Sequence, residues 1–168
     1  MCDCIKHHFE NDRFELAEKH FGNALAMDST NAKIHLNMGN TLLALGNADS
    51  ALYHYQHVAD LTSDKFLKAD AYHNAGVIYQ SLAGHAERED LKQDLLKRAI
   101  GQYTNALRLV PTADDSRYNL VLSLKQLKDS QQQQSQNQNQ DPNREQEEEK
   151  EKQDSSSQSP PPSPQSPP

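Results

Sequence analysis

Apolar residues recur along most of this chain at helical spacing, and the pattern itself recurs. Ala17, Phe21 and Ala24 stand at i, i+4 and i+7 in ELAEKHFGNAL; so do Ala51, Tyr55 and Val58 in SALYHYQHVADL, and Ala99, Tyr103 and Ala106 in RAIGQYTNALRL. That spacing sets each trio on one side of an α-helix. A second kind of segment precedes the latter two: LNMGNTLLALG, with Met38, Gly39 and Leu42 on one face, and HNAGVIYQSLAG, with Ala75, Gly76 and Tyr79. Ala17 and Ala51 are 34 residues apart. A fixed period of this length predicts a solenoid of paired helices, each pair burying its apolar face on its neighbours. Glycine inside a helix costs about 1 kcal/mol relative to alanine. Gly39 and Gly76 are therefore expected where another helix comes close, with Tyr55 or Tyr103 filling the space beside them.

The units are not uniform. Asn37 to Asn74 spans 37 residues, so the link around TSDKFLKAD is lengthened, and Asn74 to Asn119 spans 45. The second surplus falls in HAEREDLKQDLLKR (85–98), where Leu91, Leu95 and Ala99 continue one face at i+4 steps. Eleven residues are about three helical turns, which predicts a long second helix from near Glu87, its charged faces solvated, rather than a loop. At the front, only Ile5 and Phe9 are available to pack a leading helix, so the first unit reads as truncated or frayed. At the back, ADDSRYNLVLSLKQLKD predicts a single closing helix with Leu120, Leu124 and Leu127 on one face. About seven helices are expected.

The layout resembles the tetratricopeptide repeat, a helix–turn–helix unit of 34 residues often followed by proline. Pro111 stands in that place after NALRLV, while Ser29 and Ser63 occupy it in the earlier units. The resemblance covers residues 12–128. It implies an all-α, right-handed superhelical solenoid over 1–128 with a capping helix at about 113–128.

Composition changes at the end of that region. From Ser130 to Pro168 there is no aliphatic or aromatic residue, only a Gln-rich tract, an acidic run and SSSQSPPPSPQSPP. Such a segment cannot bury enough apolar area to offset its conformational entropy, so 129–168 is expected to be disordered. It holds eight acidic residues against three basic ones, a net −5 of the chain's −7. The solenoid is therefore nearly neutral and carries no basic stripe for nucleic acid. No stretch is long and apolar enough to span a membrane.

The sequence also resembles the tetratricopeptide proteins of Bacteroides aerotolerance (Bat) operons. The residues that carry this are ADAYHNAGVIYQ and YTNALRLVPTADDSRYNLVLSLKQLK, followed by Gln131–Gln134. The resemblance implies a bacterial envelope protein linked to oxidative stress, with membrane-anchored von Willebrand factor A-domain proteins as partners. Members usually begin with a signal peptide or membrane helix. The polar opening here therefore predicts periplasm or envelope if the start is trimmed, and cytoplasm if it is complete.

The binding candidates lie on the leading helices. Asn37, Asn74 and Asn119 occupy equivalent places, two residues before Gly39, Gly76 and Val121. An amide both donates and accepts, so a ladder of them suits the backbone of an extended peptide. The same residues could instead bridge helix to helix within the solenoid. Asn40, His73, Gln80, Tyr118 and Lys125 are expected beside them on the inner face. A clamp on a chaperone's terminal carboxylate needs basic residues where Leu36, Asn40, His73 and Val77 stand, which disfavours that partner. No HExxH, paired CxxC, glycine-rich phosphate loop or nucleophile–base motif is present. His54 and His57, one turn apart, read as solvated surface, and Cys2 and Cys4 as exposed thiols. No catalytic residue, cofactor or metal ligand is assigned, and the chain reads as a non-enzyme. Two functions are expected to compete: an adaptor that holds a partner segment in the concave groove, or a structural subunit that uses its outer faces and the 85–98 extension.

Overall fold

The computed structural model describes residues 3–139, with side-chain surroundings for 13–136. From residue 140 onward, the segment expected to be disordered lies outside the described residues. Six helices follow one another among those described: α1 (Asp3–Met27), α2 (Ala32–Ala44), α3 (Ala48–Leu61), α4 (Lys65–Gly84), α5 (Glu89–Leu109) and α6 (Asp114–Asn139). The chain divides into two compact units, Met1–Gln131 and Gln132–Pro168. The first is the solenoid; the described residues of the second, 132–139, are helical.

One helix fewer is present than the sequence led us to expect, because α1 runs unbroken where a leading and a trailing helix were anticipated. The reason is local. The α2–α3 turn is made by Gly46, whose φ of +79° only glycine adopts without strain. Its counterpart 34 residues earlier is Asp12, and the helix passes straight through. Two of the helix starts, those of α2 and α4, are capped by side chains. Asn31 accepts from the backbone N–H groups of Lys33 and Ile34, and Asp64 from those of Phe66 and Leu67. Such a cap is worth about 1 kcal/mol.

The core of the middle repeat is Leu42, Ala51, Tyr55, Val58, Ala71, Ala75 and Ile78, contributed by α2, α3 and α4. Small residues let the helices close, and one tyrosine per repeat fills the gap that glycine leaves. A Cβ placed on Gly39 would stand 2.6 Å from Tyr55 Cε1, and one on Gly76 would stand 2.6 Å from Tyr103 Cε1. The Cδ1–Cε1–Cζ side of the ring therefore lies against the glycine in both units, and this contact sets the distance between paired helices.

The surplus residues are absorbed as helix. α4 begins eleven residues before Gly76 where α2 begins seven before Gly39, and the preceding turn is shortened from 28–31 to 62–64. At the far end, α4 runs eight residues past Gly76 where α2 runs five past Gly39. α5 begins fourteen residues before Tyr103 where α3 begins seven before Tyr55. The third pair is thus a taller hairpin built from both of its helices. Its buried residue is Leu96, at 1% exposure, whereas Leu91 is 47% exposed and Leu95 half-buried. The face expected from Leu91 and Leu95 is rotated by one position, which follows from α5 keeping Ala99, Tyr103 and Ala106 fully buried: Leu96, three residues before Ala99, lies on their stripe.

α6 is longer than either helix of that hairpin, 26 residues against 20 and 21, and ends at Asn139, where composition had placed the domain boundary at 128. Its buried positions are Ser116, Ser123 and Ser130. Leu124, expected to face inward, is exposed, and Leu120 and Leu127 are half-buried. A serine every seven residues gives a narrow, near-straight seam. It lets α6 sit close to α4 and α5, tied by Ser116 to His73 and by Ser130 to Glu89.

Candidate functional site

The leading helices stand side by side. Asn74 Nδ2 of α4 donates to Asn40 Oδ1 of α2 at 2.8 Å, His73 Nδ1 meets Ser116 Oγ of α6 at 2.9 Å, and Gln80 Nε2 donates to Gln126 Oε1 of α6 at 3.4 Å. α2, α4 and α6 therefore form one continuous surface, and the residues singled out in the sequence lie on it.

The surface is organised by two buried phenols that reach through from the trailing helices. Tyr55 Oη donates to Asn40 Oδ1 at 2.8 Å, the same oxygen that receives Asn74. Tyr103 Oη donates to Gln80 Oε1 at 2.8 Å. Burial pushes both phenols up to about 12, opposed by the hydrogen bonds from Asn74 to Tyr55 and from Asn119 to Tyr103. Both hydroxyls thus keep their protons and act as fixed donors at any physiological pH. Each node has a phenol ringed by amides: Asn40 and Asn74 around Tyr55, Gln80 and Asn119 around Tyr103. Gln80 stands four residues past its glycine where Asn40 stands one past, so the two phenols are met at different helix positions.

This explains how the three equivalent asparagines differ. Asn74 and Asn119 are each drawn to a tyrosine. The counterpart of those tyrosines in α1 is Phe21, which has no hydroxyl, and Asn37 is exposed. Among the described residues no hydrogen bond uses Asn40 Nδ2 or Asn74 Oδ1. The Tyr55 node fixes these two amides through Asn40 Oδ1 and leaves one donor, Asn40 Nδ2, and one acceptor, Asn74 Oδ1, unused by it. Tyr118, 70% exposed, and Lys125 extend the surface along α6.

Beside His73 the surface dips into a hollow of about 170 Å³ walled by Phe66, Ala69, Asp70, Val110 and Asp115. Burial lowers the pKa of His73, opposed by Asp115 and Asp70, and burial raises that of Asp70. Sequence reasoning missed Phe66, which is 58% exposed on the N-terminal turn that lengthens α4. An exposed aromatic in an inserted turn was the available signal. A larger hollow of about 430 Å³ lies on the trailing side between α3, α4 and α5, walled by Leu52, Tyr53, Tyr72 and Tyr79.

The reading of His54 and His57 as solvated surface requires correction. Both are half-buried, and they pack against buried His35 across the α2–α3 interface, with ring centroids 5.1 and 5.0 Å from it. Position 35 is occupied by an imidazole small enough to admit two more rings, a juxtaposition that helical spacing on α3 alone does not reveal. Among the described residues no group of three or more His, Cys, Asp or Glu is arranged to hold a metal, and no helix is long and apolar enough to cross a membrane.

These features define the fold class: an all-α solenoid of paired helices, of the tetratricopeptide-repeat kind. Residues 8–61 match the family described as tetratricopeptide repeat. Among solved structures, the chain is similar to the first tetratricopeptide-repeat domain of Spaghetti (RPAP3) bound to the HSP90 peptide SRMEEVD, with a TM-score of 0.57 and 17% identity over 71% of this chain and 84% of that one. It also aligns with MamA at a TM-score of 0.39 and 19% identity, over 77% and 88% of the two chains, too loosely to carry an argument. No curated protein matches.

Proposed function

We propose that this chain is a non-catalytic adaptor that holds an extended segment of a partner protein on the surface of α2, α4 and α6. The observation that carries this reading is the Tyr55 node, which spends a buried phenol on orienting two surface amides. A brace needs only the mutual bond between Asn40 and Asn74; here a donor at Asn40 and an acceptor at Asn74 are left unused by the node, the complement of a peptide unit. Asn37 and Asn119 continue the row, and His73, Gln80, Tyr118 and Lys125 flank it. The tetratricopeptide-repeat fold supports an interaction module, and the Spaghetti domain is a case in which that fold is bound to a peptide. The acidic end of that peptide is not what this surface favours, since Asp70 and Asp115 wall the hollow beside His73. The resemblance to aerotolerance-operon proteins supports a membrane-anchored von Willebrand factor A-domain protein as partner, within a bacterial envelope complex.

A pull-down from source cells tests the reading. The bait is wild type beside a triple variant, Asn37→Ala/Tyr118→Ala/Lys125→Ala, whose three side chains are all exposed. The variant is expected to keep its helical circular dichroism and to lose the partner, each lost contact costing about 1 kcal/mol. Equal retention by a folded variant would remove this surface from the binding function.

A further inference from the structure

His35 joins three pieces of the fold. Its Nε2 lies 3.1 Å from the Ser29 carbonyl in the turn before α2, and its Nδ1 lies 2.9 Å from His54 Nδ1 on α3. A carbonyl oxygen only accepts, so His35 carries its proton on Nε2 and presents a lone pair at Nδ1. His54 must then donate from Nδ1–H, and its tautomer is fixed by a chain of two hydrogen bonds that begins at Ser29. His57 stands against His35, and Tyr53 lies edge-on to both His54 and His57, with centroids 5.4 and 4.4 Å away.

We infer that the His35–His54 bond is a proton-operated latch, which closes α3 onto α2 and the 28–31 turn when neutral and opens in mild acid. The inference rests on this geometry alone and is independent of the partner-binding surface. One extra proton on the pair leaves a single hydrogen between the two Nδ1 atoms, and the bond survives. A second proton puts an N–H on both sides of a 2.9 Å gap, and the rings must part.

The groups around His54 do not favour its charged form. His54 is shifted below the ordinary histidine value of 6.5 by burial first, then by the charges of His35 and His57. Asp28, next to Ser29, accepts from Thr30 and Asn31, and Asp60 on α3 accepts from Gln56. No carboxylate acts on His54 among the described residues. Because the folded state binds protons less readily than the unfolded chain, the latch's contribution is complete above about pH 6.5 and is lost as pH falls below it.

Two measurements on the full chain test this. Long-range ¹H–¹⁵N spectra at pH 7.5 are expected to show His54 as the Nδ1–H tautomer and His35 as Nε2–H. Urea unfolding from pH 7.5 to 5 is expected to show a falling midpoint in wild type. That fall should be at least halved in His54→Gln, whose amide N–H serves His35 without titrating; half-buried His73, also lowered by burial, contributes to the remainder. A His54 found as Nε2–H, or an equal fall in both proteins, overturns the latch. Should His54→Gln fail to fold, the wild-type tautomer decides the question alone.

Discussion

The contact between Gly76 and Tyr103 makes a prediction whose sign can be worked out from the structure. A methyl group on residue 76 would lie 2.6, 2.8 and 2.9 Å from three atoms of the Tyr103 ring. The ring cannot step aside, because it is 0% exposed and its hydroxyl is held by Gln80 at 2.8 Å. Forcing a methyl into a packed interface costs about 1–3 kcal/mol, and three simultaneous contacts with a fixed ring place this case at the upper end. Alanine regains about 1 kcal/mol of helix propensity. Gly76→Ala should therefore destabilise the solenoid by about 2 kcal/mol. Gly101, inside α5, has nothing within 4 Å of its would-be Cβ. There the same change should stabilise by about 0.5–1 kcal/mol. Urea unfolding followed by circular dichroism compares the two variants directly, and Gly76→Ala in a Tyr103→Leu background should lose most of its penalty. If both single variants shift the midpoint in the same direction, the glycine–tyrosine contact does not set the helix spacing.

Two further changes probe the polar interior. Ser123 is fully buried, and its hydroxyl has no hydrogen-bond partner among the described residues; Ser123→Ala should raise stability by about 1 kcal/mol, read as a higher urea midpoint, and a lower one would mean the hydroxyl is satisfied. Tyr103→Phe removes the donor to Gln80 while keeping the ring, and should cost about 1 kcal/mol in the same assay with helical content unchanged.

The repeat architecture was legible because its contacts are local and periodic. Gly39, Gly76, Tyr55 and Tyr103 recur in register, and each pair meets in the structure as the spacing requires. What escaped was whatever depended on a residue far away in sequence. The serine seam of α6 was hidden because leucine carries the obvious hydrophobic signal, yet here small side chains allow the close approach and Leu124 is left outside. His54 and His57 looked solvated on α3 because His35, nineteen residues earlier, was not visible as their neighbour. The asparagine row was found, but not its inequality. Asn74 and Asn119 are held by phenols, while Asn37 faces Phe21's register position, so the difference between Phe21 and the two tyrosines carries information that motif matching treats as interchangeable. Unbroken α1 follows the same logic: Asp12 stands where Gly46 would have made a turn.

The central claim is that a partner lies along α2 and α6 rather than across the trailing helices. Site-specific photo-crosslinking in source cells tests this most directly, with benzoylphenylalanine placed in turn at Asn37, Tyr118 and Arg98, all of them exposed. The account predicts the same adduct from positions 37 and 118 and none from position 98 on α5. An adduct from position 98 alone would contradict it and move the binding surface to the trailing side of the solenoid.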